Sequence, residues 1–289
     1  MDGSTLLAAL KAVPDMAVEW EVEQVGERAF HAWNFKDSHF VKWIMADDQR
    51  GRNEVEVNRA ILPGATIPVP CLERVLPLGE NTLVFWEWLE GEDLRSAHRE
   101  LLPQAFRQLG IFHLSQRGEN QVSSPITGNV YPTIPAFLDG EARLLCADLP
   151  PAQQVRCSII LSRLSCAYPT TIHGDMHPGN LLTAGDGLQF VDWGYSRRSI
   201  NLLDLDYVHN MHFQPAETDW WIIQPEEARE VLAGYFSSCG MLEVNTGQIQ
   251  HAVMLWSVLW GLYNSKDSAN QEAHGVSLHK LEQILEAQS

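Results

Sequence analysis

Apolar and polar positions alternate through roughly the first ninety residues, in short blocks rich in β-branched and aromatic side chains. "WEVEQV" (20–25), "AFHAWNF" (29–35) and "SHFVKWIMA" (38–46) are such blocks, separated by turn residues at Gly26-Glu27 and Lys36-Asp37. Each predicts a strand. "NEVEVNRAIL" (53–62) changes to a helical period and stops at Pro63-Gly64. "IPVPCLERVLPL" (67–78) and "NTLVFWEWL" (81–89) predict two further strands joined around Gly79-Glu80-Asn81.

From Glu92 onward the period of three and four dominates. "LLPQAFRQLGIFHLSQ" (101–116), "PAQQVRCSIILSRLSC" (151–166), "PEEAREVLAGYFSSCG" (225–240) and "GQIQHAVMLWSVLWGLYN" (247–264) each predict a helix. The pattern is α+β and bilobal. Residues 1–86 form a small β-rich lobe with one helix, 87–91 a connector, and 92–289 a larger, mainly helical lobe. A length of 289 residues suits two such lobes, and clefts between lobes commonly hold ligands.

Charge narrows the partners. Twenty Lys and Arg against 37 Asp and Glu give −17, which argues against a nucleic-acid backbone and favours small cations. Five cysteines, widely spaced and without CxxC, argue against a disulfide framework or a zinc site. The start "MDGSTLLAALKAVPDM" has neither the basic region nor the apolar core of a signal peptide. No run of eighteen apolar residues exists. The expectation is a cytoplasmic protein, monomer or homodimer, with no membrane segment.

The candidate chemistry sits in "TIHGDMHPGNLLTAGDGLQFVDWGY" (171–195). "NLLT" and "LQFVD" flank "AGDG", a strong hairpin signal. Pairing about Gly185-Asp186 sets Thr183 opposite Leu188 and Asn180 opposite Val191, so Asn180 lies one residue from Asp192 across the ladder. The two side chains converge only if the strand breaks near Asp192, and Gly194 allows that. An Asp and an Asn at a hairpin mouth make a hard oxygen site suited to Mg²⁺ with nucleotide phosphates. Asp175, on the loop "HGDMHPG", is placed to accept a hydroxyl proton. Alone, each residue could merely cap a turn. Together they are the parts that phosphoryl transfer requires.

"HGDMHPGNLL…FVDWGY", followed by "DLD" at Asp204–Asp206, resembles the aminoglycoside phosphotransferase and choline kinase-like family, whose fold is similar to that of the protein kinases. The resemblance implies Asp175 as catalytic base, Asn180 and Asp192 as Mg²⁺ ligands, and His173 and Asp204 as supports of the catalytic loop. It also implies a phosphate-orienting lysine upstream. "HFVKWIM" supplies Lys42, and the following helix offers Glu54 and Glu56 as partners. The family's E-x-x-x-x-R-x-L pattern, matched through Arg59 and Ile61, favours Glu54. "LVFWEWLEGEDL" resembles the interlobe connector, with the Glu87 carbonyl and the Leu89 N–H as adenine partners. The phosphate loop "VGERAFHAW" departs from the pattern, because it contains only Gly26.

These features predict an ATP- (or GTP-) and Mg²⁺-dependent O-phosphotransferase acting on a small cationic molecule, an aminoglycoside-type antibiotic or similar. Choline, thiamine or another amino alcohol is the alternative. Trp256, Trp260 and Tyr263 recur at helical spacing and could receive an amine by cation–π attraction, or could simply pack a core. His209 and His212 in "HNMH" suggest the face of a packed helix, and "ETDWWIIQPEE" (217–227) a loop at a substrate pocket. A protein kinase is disfavoured, since no A-P-E segment occurs and about a dozen residues separate Asp192 from Asp204. A non-catalytic scaffold finds support only in the missing glycines.

Overall fold

The computed structural model describes all residues except 1–2, 14–19, 26–28, 35–38, 96, 119–120, 186, 209–222, 224, 242, 266–270 and 287–289. The N-terminal blocks become β1 (Glu21–Val25), β2 (Ala29–Asn34), β3 (His39–Ile44), β4 (Leu72–Leu78) and β5 (Asn81–Glu87). They pair antiparallel in one sheet ordered β1-β2-β3-β5-β4. β4 starts at Leu72, five residues later than the apolar run, because Pro68 and Pro70 have no N–H for a ladder. Helix α2 (Gln49–Ala60) starts earlier than the periodicity shows. Asp48 caps it, its Oδ1 accepting the Gly51 N–H at 2.9 Å.

Alternation along β3 gives the sheet two different faces. Val41 and Trp43 join Ala32, Leu83 and Phe85 against Leu6 and Leu10 of helix α1 (Gly3–Lys11). Phe40 and Ile44 join Val84 and Trp86 against Val55 of α2. Lys42 shares the parity of Phe40 and Ile44, and so lies on the face that α2 covers. It stands opposite His31 on β2 and Val84 on β5.

By contacts the chain divides into two compact units, Met1–Glu92 with Leu181–Tyr195, and Asp93–Asn180 with Ser196–Ser289. The first therefore includes the hairpin of β10 (Leu181–Ala184) and β11 (Gly187–Phe190), whose register sets Thr183 opposite Leu188. β6 (Gly91–Asp93) adds to the β10 edge. A Cβ on Gly91 would run into the Thr183 carbonyl oxygen, so only glycine permits this approach.

The second unit is mainly helical: α3 (Leu102–Ser115), α4 (Ile134–Leu145), α5 (Pro151–Leu161), α6 (Pro225–Ser238), α7 (Thr246–Ser265) and α8 (Gln271–Glu286). α3 packs on α6, and α7 on α8. Two small antiparallel pairs complete it, β7 (Val122–Ser123) with β8 (Val130–Tyr131) and β9 (Pro169–Ile172) with β12 (Arg197–Ile200). No helix among the described residues is long and apolar enough to cross a membrane.

Candidate active site

In the first unit Lys42 Nζ donates to both carboxylate oxygens of Glu54, at 2.9 and 2.8 Å. The same ammonium lies 3.9 Å from Asp192 Oδ1 and 5.3 Å from the Trp86 ring centroid. Burial opposes the charge, yet the two carboxylates outweigh it and raise the Lys42 pKa. Lys42 is therefore a fixed cation.

Asp192 is where β11 has ended, and its φ of +62° turns the chain out of the ladder. The ladder thus ends at Phe190, two residues before Asp192 and four before Gly194. Arg50, in the first turn of α2, hydrogen-bonds Asp192 Oδ2. Asn53 Nδ2 donates to the Gly194 carbonyl at 2.9 Å. His31 is held near 4, below its ordinary 6.5, by burial first and then by the charges of Lys42 and Arg50. It is neutral at pH 7.

In the second unit Asp204 anchors the loop. Its carboxylate accepts the His173 and Gly174 N–H groups, both at 2.7 Å, and meets His113 Nε2 at 3.0 Å. Burial alone would raise this carboxyl, but the His113 hydrogen bond and the neighbouring donors bring it below the usual range. His173 is fully buried, and its main-chain N–H donates to Asp204.

Asp175 follows. Its Oδ1 accepts the Tyr207 hydroxyl at 2.8 Å, and its carbonyl accepts Asn180 Nδ2 at 2.8 Å. With the Asn180 amide nitrogen so committed, its Oδ1 is the atom left for a metal. His177 Nδ1 accepts the Gly179 N–H at 3.0 Å, so the neutral ring carries its proton on Nε2, 3.9 Å from Asp175 Oδ2.

The remaining expected residues fall as follows. Glu87 closes β5, its N–H donating to the Cys71 carbonyl at 2.9 Å, and Leu89 follows in irregular chain. Beside them Trp33 stacks on Trp88 at 6.5 Å, and Phe40 meets Trp86 and Trp88 at 6.4 Å. Trp256 is a correction. It is 2% exposed and stacked on Phe137 at 5.8 Å, so it packs a core and offers no face to an amine. Trp260 and Tyr263 are half-buried on the same helix. Gly26, His209, His212 and most of "ETDWWIIQPEE" lie outside the described residues. Arg50, His177 and Tyr207 are additions that spacing did not single out.

A family model described as the phosphotransferase enzyme family matches residues 28–239. A comparison with curated proteins finds no significant match. Among solved structures, a thermostable mutant of aminoglycoside phosphotransferase APH(4)-Ia, in ternary complex with AMP-PNP and hygromycin B, superposes with TM-score 0.66. It is 15% identical, and 99% of each chain is covered. A putative fructosamine-3-kinase from Haemophilus somnus 129PT gives 0.63 at 15% identity, covering 98% of this chain and 96% of that one. A choline/ethanolamine kinase family protein from Mesorhizobium loti gives 0.57 at 16% identity, covering 99% and 95%. At such identities the likeness establishes the α+β, kinase-like fold. The family match spans most of the chain, which belongs to the phosphotransferase enzyme family.

Proposed function

We propose that the enzyme transfers the γ-phosphoryl group of ATP, or GTP, to a hydroxyl of a small cationic acceptor of the aminoglycoside type. The observation that carries this is the buried Lys42–Glu54 pair with Asp192 at 3.9 Å from the same ammonium. A fixed cation beside a carboxylate suits a nucleotide phosphate and a hard metal ion. Lys42 would hold phosphate oxygens, with Glu54 fixing its position. The aromatic group of Trp33, Phe40, Trp86 and Trp88 lies beside Glu87 and Leu89, whose main-chain carbonyl and N–H would pair with the base.

Among the described residues no cluster of three or more His, Cys, Asp or Glu could enclose a metal. An ion held by Asn180 Oδ1 and the Asp192 carboxylate would thus complete its shell with water and phosphate, as Mg²⁺ does. Bound there, it would offset the negative charge on the phosphates. The acceptor oxygen attacks the γ-phosphorus, the bond to the β–γ bridging oxygen breaks, and the hydroxyl proton passes to Asp175 while ADP departs. Tyr207 would hold the Asp175 carboxylate in register, and Asp204 and His173 would fix the loop behind it.

The acidic balance of −17 supports a cationic acceptor. Choline or thiamine remains the alternative, weakened by the burial of Trp256. Screening aminoglycosides, amino alcohols and vitamins for ADP release, with phosphorus NMR on each hit, tests the assignment. Asp175→Asn is expected to lower turnover by about 10²- to 10⁴-fold and leave nucleotide affinity intact. Turnover within threefold of the parent would remove Asp175 from the base role.

A further inference from the structure

Arg50, Asn53 and Glu54 occupy positions i, i+3 and i+4 of α2 and so share one face of the helix. Glu54 holds Lys42, Asn53 holds the Gly194 carbonyl, and Arg50 holds Asp192. A guanidinium and an ammonium thus share one carboxylate, Arg50 on Oδ2 and Lys42 at 3.9 Å from Oδ1. Arg50 is not fixed by that carboxylate alone. Its guanidinium lies over the Tyr195 ring at 4.2 Å, and its stem crosses Gly194, where a Cβ would run into Arg50 Cγ. The side chain remains 42% exposed. Meanwhile the segment Gly26-Glu27-Arg28 between β1 and β2 carries a single glycine, so its sequence does not encode a glycine-rich cradle of backbone amides.

We propose that Arg50 is a nucleotide-phosphate ligand that covers Asp192 until the metal-bound nucleotide arrives. The guanidinium then leaves the carboxylate for a β- or γ-phosphate oxygen, and Asp192 turns to the metal. This rests on the reading of Lys42 and Asp192 as nucleotide and metal groups. The exchange replaces one charge-assisted pair with two, Arg50 with phosphate and Asp192 with the divalent ion. A guanidinium fork suits phosphate oxygens better than a point charge does. Tyr195 and Gly194 keep the side chain at its post after the carboxylate has left it. Arg50 thereby supplies a guanidinium at the phosphates from the first turn of α2.

Arg50→Met removes the charge and keeps much of the stem, while Arg50→Lys keeps the charge and loses the fork. Affinities for AMP-PNP and adenosine in excess Mg²⁺ would be measured calorimetrically, and Mn²⁺ binding to the nucleotide-free protein by electron paramagnetic resonance. Arg50→Met is expected to lose about tenfold in AMP-PNP affinity, leave adenosine unchanged, and bind Mn²⁺ alone more tightly than the parent. Arg50→Lys should recover part of the AMP-PNP affinity. AMP-PNP affinity within twofold of the parent, equal losses for AMP-PNP and adenosine, or unchanged Mn²⁺ binding would each overturn the proposal. Lys42→Met separates the two levels. If it weakens AMP-PNP and Arg50→Met does not, only the Arg50 role fails; if neither weakens it, the nucleotide assignment of the whole cluster fails too.

Discussion

Asp192 meets two demands at one backbone position. Its φ of +62° lies in the left-handed region, which Asp and Asn tolerate better than most side chains. Its carboxylate also faces two cations, Arg50 and Lys42. His31, opposite Lys42, shows what burial, with the charges of Lys42 and Arg50 beside it, does to a neighbour. Its pKa in the fold is depressed to about 4 from 6.5, so the unfolded chain takes up the proton first as the pH falls. The stability His31 supports is therefore complete above pH 6.5 and lost progressively between 6.5 and 4. His31→Gln should flatten the melting temperature against pH in that window, removing acid destabilisation of about 3 kcal/mol. An unchanged profile would place the proton uptake elsewhere. Lys42, Glu54, Asp175, Asn180 and Asp192 were legible because their spacing along the chain is itself the signal. Arg50 and Tyr207 were not, since each takes its meaning from a carboxylate distant in sequence, Arg50 from Asp192 and Tyr207 from Asp175.

At the scale of elements, α2 organises the charged cluster, and its first turn matters most because Arg50 sits there. Asp48 satisfies the Gly51 N–H, so Asp48→Ala should cost about 1 kcal/mol in urea unfolding, and Asp48→Ser should recover most of it. An unaltered midpoint would show that the cap contributes nothing. The start of this helix was hidden in the sequence because "DQRGRN" has no apolar period to announce it. The β10–β11 hairpin was easy to read, since Gly185 takes φ +56° where the turn residues imply it. Helices α1, α4 and α8 were passed over. The nine residues of α1 span too few turns for periodicity to stand out. α4 carries Pro135 and Gly140, residues that weaken a helical pattern. The burial of Trp256 against Phe137 depends on which helix lies opposite, which spacing along α7 alone does not encode.

For the whole molecule, one fold serves proteins described as aminoglycoside, fructosamine and choline/ethanolamine kinases, at 15–16% identity to this chain. The scaffold therefore does not select the acceptor. The chemistry was legible because it needs a fixed set of charges, whereas acceptor choice depends on side chains around the site that carry no motif. A net charge of −17 does make one expectation. A cationic acceptor should show a KM that rises several-fold between about 20 and 300 mM salt, as long-range attraction is screened. A KM that is flat across that range would favour a neutral acceptor.

The hairpin Leu181–Tyr195 belongs to the same unit as residues made some hundred positions earlier. Phe190 supplies the N–H that the Pro68 carbonyl accepts at 2.9 Å, and Asp192 supplies the second carboxylate beside Lys42. During synthesis the first unit thus leaves the ribosome with an edge uncovered and its cations only half compensated. It can close only once Tyr195 has emerged, by which time the loop carrying Asp175 has been made as well.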